Sequence, residues 1–126
     1  MGSNLKCSKV APDPHAQVLA DRPEAADQYE FAVEDGDVIL MATDGIFDNV
    51  PDRLLVEEMD KVQHCKDEMV LQQSANTIAL MARRLSRDST FLSPFSINAL
   101  AAGIEAGPGG KPDDITVTLH WISLKL

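Results

Sequence analysis

The sequence predicts an α+β domain, on three observations. Strand patterning occurs over residues 29–42 and again over 115–124. Helical periodicity fills most of the chain between them. No internal repeat and no low-complexity tract breaks that order.

Residues 1–17 have little apolar pattern and include Pro12 and Pro14, so an irregular leader is expected there, with a loop over 18–28. Tyr29, Phe31 and Val33 then alternate with Glu30, Ala32 and Glu34, the period of a strand. Asp35-Gly36 reads as a hairpin turn, because glycine tolerates positive φ. The return strand, Val38 to Ala42, is apolar throughout and is expected to lie buried on both faces as a central strand.

A helix is expected from Pro51, since proline suits a first helical turn and Leu55, Met59 and Val62 recur at i, i+4 and i+7. A second helix over 66–86 places Leu71, Ala75, Ile78, Ala82 and Leu85 on one stripe, with Gln72, Gln73, Asn76, Arg83 and Arg84 on other faces. A shorter helix from Pro94 to about Glu105 is expected to turn Ile97, Leu100, Ala101 and Ile104 inward. The stretch Gly107 to Pro112 reads as a linker. It follows a helix and lacks the spacing of a phosphate-binding loop. The last strand puts Ile115, Val117, Leu119 and Trp121 on one face, and Thr116, Thr118, His120 and Ile122 on the other. The predicted order is β-β-α-α-α-β. The last strand lies beside the one that ends at Thr43, and the helices cover one face of the sheet.

The chain has 126 residues, 44% of them hydrophobic, which is enough for the core of one domain. Eleven basic against twenty acidic residues give a net charge of −9, which argues against general affinity for nucleic acid or anionic membranes. No apolar run approaches the length of a membrane span. The start, MGSNLK, has Lys6 where a myristoylation signal needs Ser or Thr, and it lacks the character of a mitochondrial presequence. Cys7 and Cys65 form no metal-binding spacing with His15, His64 or His120, and a reduced compartment fits them best.

Chemistry is concentrated at strand ends. Asp44 stands where one buried strand stops, and Asp113 and Asp114 where another starts. If the two strands are antiparallel neighbours, these carboxylates converge on one rim and raise each other's pKa, and a divalent cation relieves the repulsion. Oxygen ligands without Cys or His suit Mg²⁺ or Mn²⁺. The same residues also read as turn and cap chemistry. Asp48 reads as a turn or helix-entry residue, or as an outer neighbour of a metal. His120 reads as packing.

The pair ATDGIFDN and, downstream, GGKPDDITVTL resembles the carboxy-terminal half of the PPM/PP2C metal-dependent protein phosphatases. LADRPEAAD, DNVPD and the Ser93-Pro94-Phe95 segment resemble the PTC7-type branch. The match runs over residues 18–124, so 18–126 is expected to be the carboxy-terminal part of such a domain. The resemblance implies part of an antiparallel β-sandwich flanked by helices, with the amino-terminal half absent. It implies a two-metal Mg²⁺ or Mn²⁺ site and phosphoprotein substrates. In such a site a metal-activated water hydrolyses phosphoserine or phosphothreonine without a phosphoenzyme. It makes Asp44 and Asp113 metal ligands, with Asp114 a locally hydrogen-bonded neighbour. Gly45 then lets the backbone turn away from the cleft. The family's Asp-Gly pair and phosphate-gripping basic residue have no counterpart here. The chain alone is therefore expected to bind metal weakly, fold marginally and be inactive. The alternatives are a short, non-catalytic interaction or decoy module, or an acidic metal-binding domain of unrelated fold. The branch implies the mitochondrial matrix, while the absence of a presequence leaves the cytosol open.

Overall fold

The computed structural model describes residues 26–105 and 107–125. The expected leader and most of the following loop lie outside them. The element order is β1 (Val38–Ala42), α1 (Asp44–Phe47), α2 (Asp52–Val62), α3 (Glu68–Ser86), α4 (Pro94–Ala101) and β2 (Val117–Trp121). This is the expected α+β arrangement with one strand fewer and one single-turn helix more.

β1 and β2 form an antiparallel pair in which Val38 faces Trp121, Leu40 faces Leu119 and Ala42 faces Val117. Cross-strand partners share a sheet face. Those six side chains therefore make one apolar face; all but Trp121 pack into the core with the helices, and Trp121 bonds to α2. The other face carries Ile39 and Met41 opposite His120 and Thr118. Among the described residues no layer covers it, and Met41 is 61% exposed. The expectation of a strand buried on both sides is thus corrected. An all-apolar run needs two covering layers, and the described residues supply one.

The expected strand over residues 29–34 is also absent from the fold. The Asp35-Gly36 turn forms, with Gly36 at φ +88° and the Asp37 amide donating to the Glu34 carbonyl. However, the turn's backbone groups are taken by the far end of β2. Gly36 N–H donates to Ile122 O and Ile122 N–H donates to Asp37 O, both at 2.8 Å. Tyr29, Phe31 and Val33 stay exposed.

α2 buries Leu55, Met59 and Val62, as their spacing predicts. α3 is capped by Asp67, whose carboxylate accepts from the Met69 amide at 2.9 Å and satisfies a free amide of the first turn. Its inner stripe is Ala75, Ile78 and Ala82, flanked by Leu71 and Leu85 as expected. Trp121 Nε1 donates to the Val62 carbonyl at 2.9 Å, tying β2 to the last turn of α2.

α4 departs from its expected orientation. Ser96 and Ala99 are its buried residues, while Ile97 (49%), Leu100 (70%) and Ile104 (59%) are exposed. Two polar anchors set the rotation. The Phe95 amide donates to Asp48 O at 3.0 Å, and the buried Ser93 hydroxyl donates to Gly109 O at 2.7 Å while accepting from the Ser96 amide. These bonds pair polar groups that would otherwise be left unsatisfied inside the protein. The helix ends earlier than expected in a Schellman arrangement. Ile104 N–H reaches Ala99 O, Gly103 N–H reaches Leu100 O, and Gly103 takes φ +77°.

Ile78 is fully buried between the helices and the sheet. Ile78→Ala is expected to lower unfolding stability by about 2–5 kcal/mol, whereas Leu100→Ser should change it by roughly 0.5 kcal/mol or less. Urea denaturation of the two variants measures both.

Candidate functional site

The rim is built where β1 ends and β2 begins. Thr43 occupies the N-cap position of α1, yet its hydroxyl caps nothing in that helix. It donates across the sheet to Asp114 O at 3.0 Å and accepts from the Thr116 amide at 3.0 Å, while its own amide donates to Thr116 O at 3.0 Å. The two carboxylate-bearing strand ends are therefore sewn together just past the regular ladder. Asp44 opens α1 and is exposed, and Asp113 and Asp114 are exposed in the segment entering β2. Asp113 accepts from the Asp114 amide at 2.8 Å, a local bond that orients its carboxylate.

Gly45 is buried and takes helical backbone. Its value lies in space, and not in the conformational freedom expected from the sequence. A Cβ there would overlap the Asp114 carbonyl oxygen and press on Ile115. Gly110 plays the same part at the other end of the loop, where a Cβ would overlap Leu85 O and the Ser86 backbone. The segment read as a linker is in fact seated on the end of α3. Gly109 N–H donates to Phe91 O and Gly110 N–H to Asp88 O.

Two residues given no role from sequence organise this rim. Asn49 is wholly buried. Its Nδ2 donates to Gly45 O at 2.9 Å and to Lys111 O at 2.8 Å, and its Oδ1 accepts from the Lys111 amide at 2.7 Å. The Lys111 ammonium lies 3.7 Å from Asp48 and 4.8 Å from the centre of the Phe95 ring. Asn49 lies inside the ATDGIFDN motif, but nothing in an isolated Asp-Asn pair reveals which carbonyls it meets.

Asp48 caps the C-terminal end of α1. Burial pushes its carboxyl above the usual carboxylate range; Lys111 pulls it back, and the charges of Asp44 and Asp113 push it up further. Three acidic side chains therefore share one electrostatic neighbourhood, with one ammonium beside them. Their oxygen chemistry fits a hard divalent cation. Among the described residues, no three His, Cys, Asp or Glu side chains close into a metal cage. His120 stands on the open sheet face with Nε2 3.0 Å from Thr118 Oγ1, away from the rim.

A raised carboxyl pKa means that the folded state disfavours the ionised form. The penalty is present at neutral pH and vanishes once the unfolded carboxyl also holds its proton. Asp48→Asn is therefore expected to raise the melting temperature at pH 7, with the gain fading below about pH 4; a melting series from pH 3 to pH 8 checks the sign. Gly45→Ala, normally favourable in a helix, is expected to destabilise by about 1–3 kcal/mol through overlap with Asp114, as read by chemical denaturation.

No family model matches the chain. It is 45% identical over 119 residues to the human protein phosphatase PTC7 homolog, across 94% of this chain and 38% of that protein. The Xenopus laevis PTC7 homolog is also 45% identical over 119 residues, covering 39% of its length. The PTC7 homolog fig of Drosophila willistoni is 45% identical over 107 residues, 85% of this chain and 34% of that one. The chain thus spans 34–39% of the length of these curated relatives. Among solved structures, the photosystem II phosphatase PBCP superposes with a TM-score of 0.67 at 27% identity, over 85% of this chain and 44% of that one. Sequence and fold together make this chain a relative, over part of their length, of the PTC7-type protein phosphatases, with the fold of part of a PP2C-type phosphatase.

Proposed function

We propose that this chain supplies one rim of the active site of a metal-dependent protein serine/threonine phosphatase. Asp44 and Asp113 are ligands for Mg²⁺ or Mn²⁺, and phosphoserine or phosphothreonine in proteins is the substrate. The observation that carries this reading is that the end of β1, which bears Asp44, and the segment entering β2, which bears Asp113, are bonded side by side through Thr43. Such a rim by itself repels a phosphate dianion, so it serves a phosphatase only with cations in place.

When bound, such an ion supplies Lewis acidity toward a phosphoryl oxygen and toward water. The chain's own residues supply the frame. Asp44 and Asp113 provide hard oxygen donors from two adjacent strand ends. Gly45 leaves room for the Asp114 carbonyl to come close. Thr43 holds the two segments in register. Asp48 stands beside them with its charge partly offset by Lys111 at 3.7 Å. The remaining ligands come from outside the described residues. Support for that part comes from the 34–39% of the relatives' length that this chain spans. The mitochondrial matrix belongs to the same proposal, by resemblance alone.

The 126-residue chain alone is expected to release no more than traces of phosphate from a phosphothreonine peptide with Mn²⁺. Appreciable release that Asp44→Ala abolishes would contradict the need for outside ligands. In a polypeptide carrying the full length of the relatives, Asp44→Ala or Asp113→Ala should lower turnover by orders of magnitude. Near-normal turnover would remove that residue from the site.

A further inference from the structure

We propose that Asn49 is a positioning residue that fixes the separation of Asp44 and Asp113, a role that rests on the metal-site reading above. Its three hydrogen bonds run to Gly45, the neighbour of Asp44, and to both backbone groups of Lys111, two residues before Asp113. Thr43 makes the complementary tie from the other flank of Asp44 to Asp114, the neighbour of Asp113. Each candidate ligand is thus held on both sides, and one of the two ties is a single buried amide.

The residue type is dictated by the contacts. A primary amide offers two N–H donors and an acceptor on one short plane. Those groups meet two carbonyls and one N–H here. The reverse amide orientation would set Oδ1 against both carbonyls and leave the Lys111 amide facing a donor. Aspartate would carry no donor for the two carbonyls, and glutamine would reach one methylene too far. The hydrogen bonds of Asn49 go to main-chain atoms of Gly45 and Lys111, and it is fully buried. It therefore acts through the backbone alone, as outer partners of metal ligands do when they fix ligand geometry.

The test is a Mn²⁺ titration of the full chain, read by water-proton relaxation, at a temperature where circular dichroism shows every variant folded. Asn49→Leu keeps the branched shape and the number of side-chain heavy atoms, at a somewhat larger volume, and removes all three bonds without adding charge. Asn49→Ser, which leaves room for a bridging water, is the second variant should Asn49→Leu not fold. Ser74→Ala removes a buried hydroxyl bonded to Glu58 and controls for general loss of stability. The expected result is loss of saturable binding in Asp113→Ala, Mn²⁺ affinity about tenfold or more weaker in the Asn49 variant, and wild-type affinity in Ser74→Ala. Wild-type affinity in the Asn49 variant, with Asp113→Ala weakened, would overturn the positioning role. Wild-type affinity in Asp113→Ala would overturn the metal-site reading itself, and this inference with it.

Discussion

The Asn49 side chain lies wholly inside the protein, where an unpaired amide would cost about 1–3 kcal/mol per group left without a partner. All three of its contacts are to main-chain atoms, and together they join the end of α1 to the loop entering β2. The rest of the rim depends on that join. It brings Lys111 beside Asp48 and over Phe95. With the Thr43 bonds, it carries the sheet's register past the last ladder pair, Ala42 with Val117, to the residues that bear the carboxylates.

Around this join the fold is one-sided. α1 and α3 lie against the face formed by Val38, Leu40, Ala42, Val117 and Leu119, α2 packs on α3, and Ile46, Leu55, Met59 and Ile78 belong to the shared core. The opposite face, with Ile39, Met41, Thr118 and His120, is uncovered among the described residues. A two-stranded sheet is marginal unless something packs on it, so the helical layer and the polar ties at its rim hold it together. The acidic rim is strained in charge in the same way. Asp48 is partly buried beside two other carboxylates with one ammonium to offset them.

The parts of the fold that were legible in the sequence follow simple periods. Leu55, Met59 and Val62 announced α2, and Ala75, Ile78 and Ala82 announced α3, because each set returns to one helix face and that face meets the core. The pairing of β1 with β2 followed from two apolar runs that needed each other. Periodicity failed where hydrogen bonds decided the outcome. Ile97, Leu100 and Ile104 have helical spacing, but Ser93 and the Phe95 amide turn α4 so that Ser96 and Ala99 face inward. Alternation over residues 29–34 suggested a strand, but the Asp35-Gly36 turn bonds instead to Ile122. At the site, the aspartates were visible as strand-end carboxylates. Asn49, Lys111 and the close approach at Gly45 were not, since each gains its role from a partner more than sixty residues away in the chain.

On the proposed function, Asp44 and Asp113 bind one cation together at the rim. The most direct measurement is paramagnetic broadening of backbone amide signals by substoichiometric Mn²⁺ in the ¹⁵N-labelled chain. The amides of Asp44, Gly45, Asp113 and Asp114 are expected to broaden first and together. Broadening that begins instead at the acidic surface of α2, around Glu57 and Asp60, and spares the rim would contradict it.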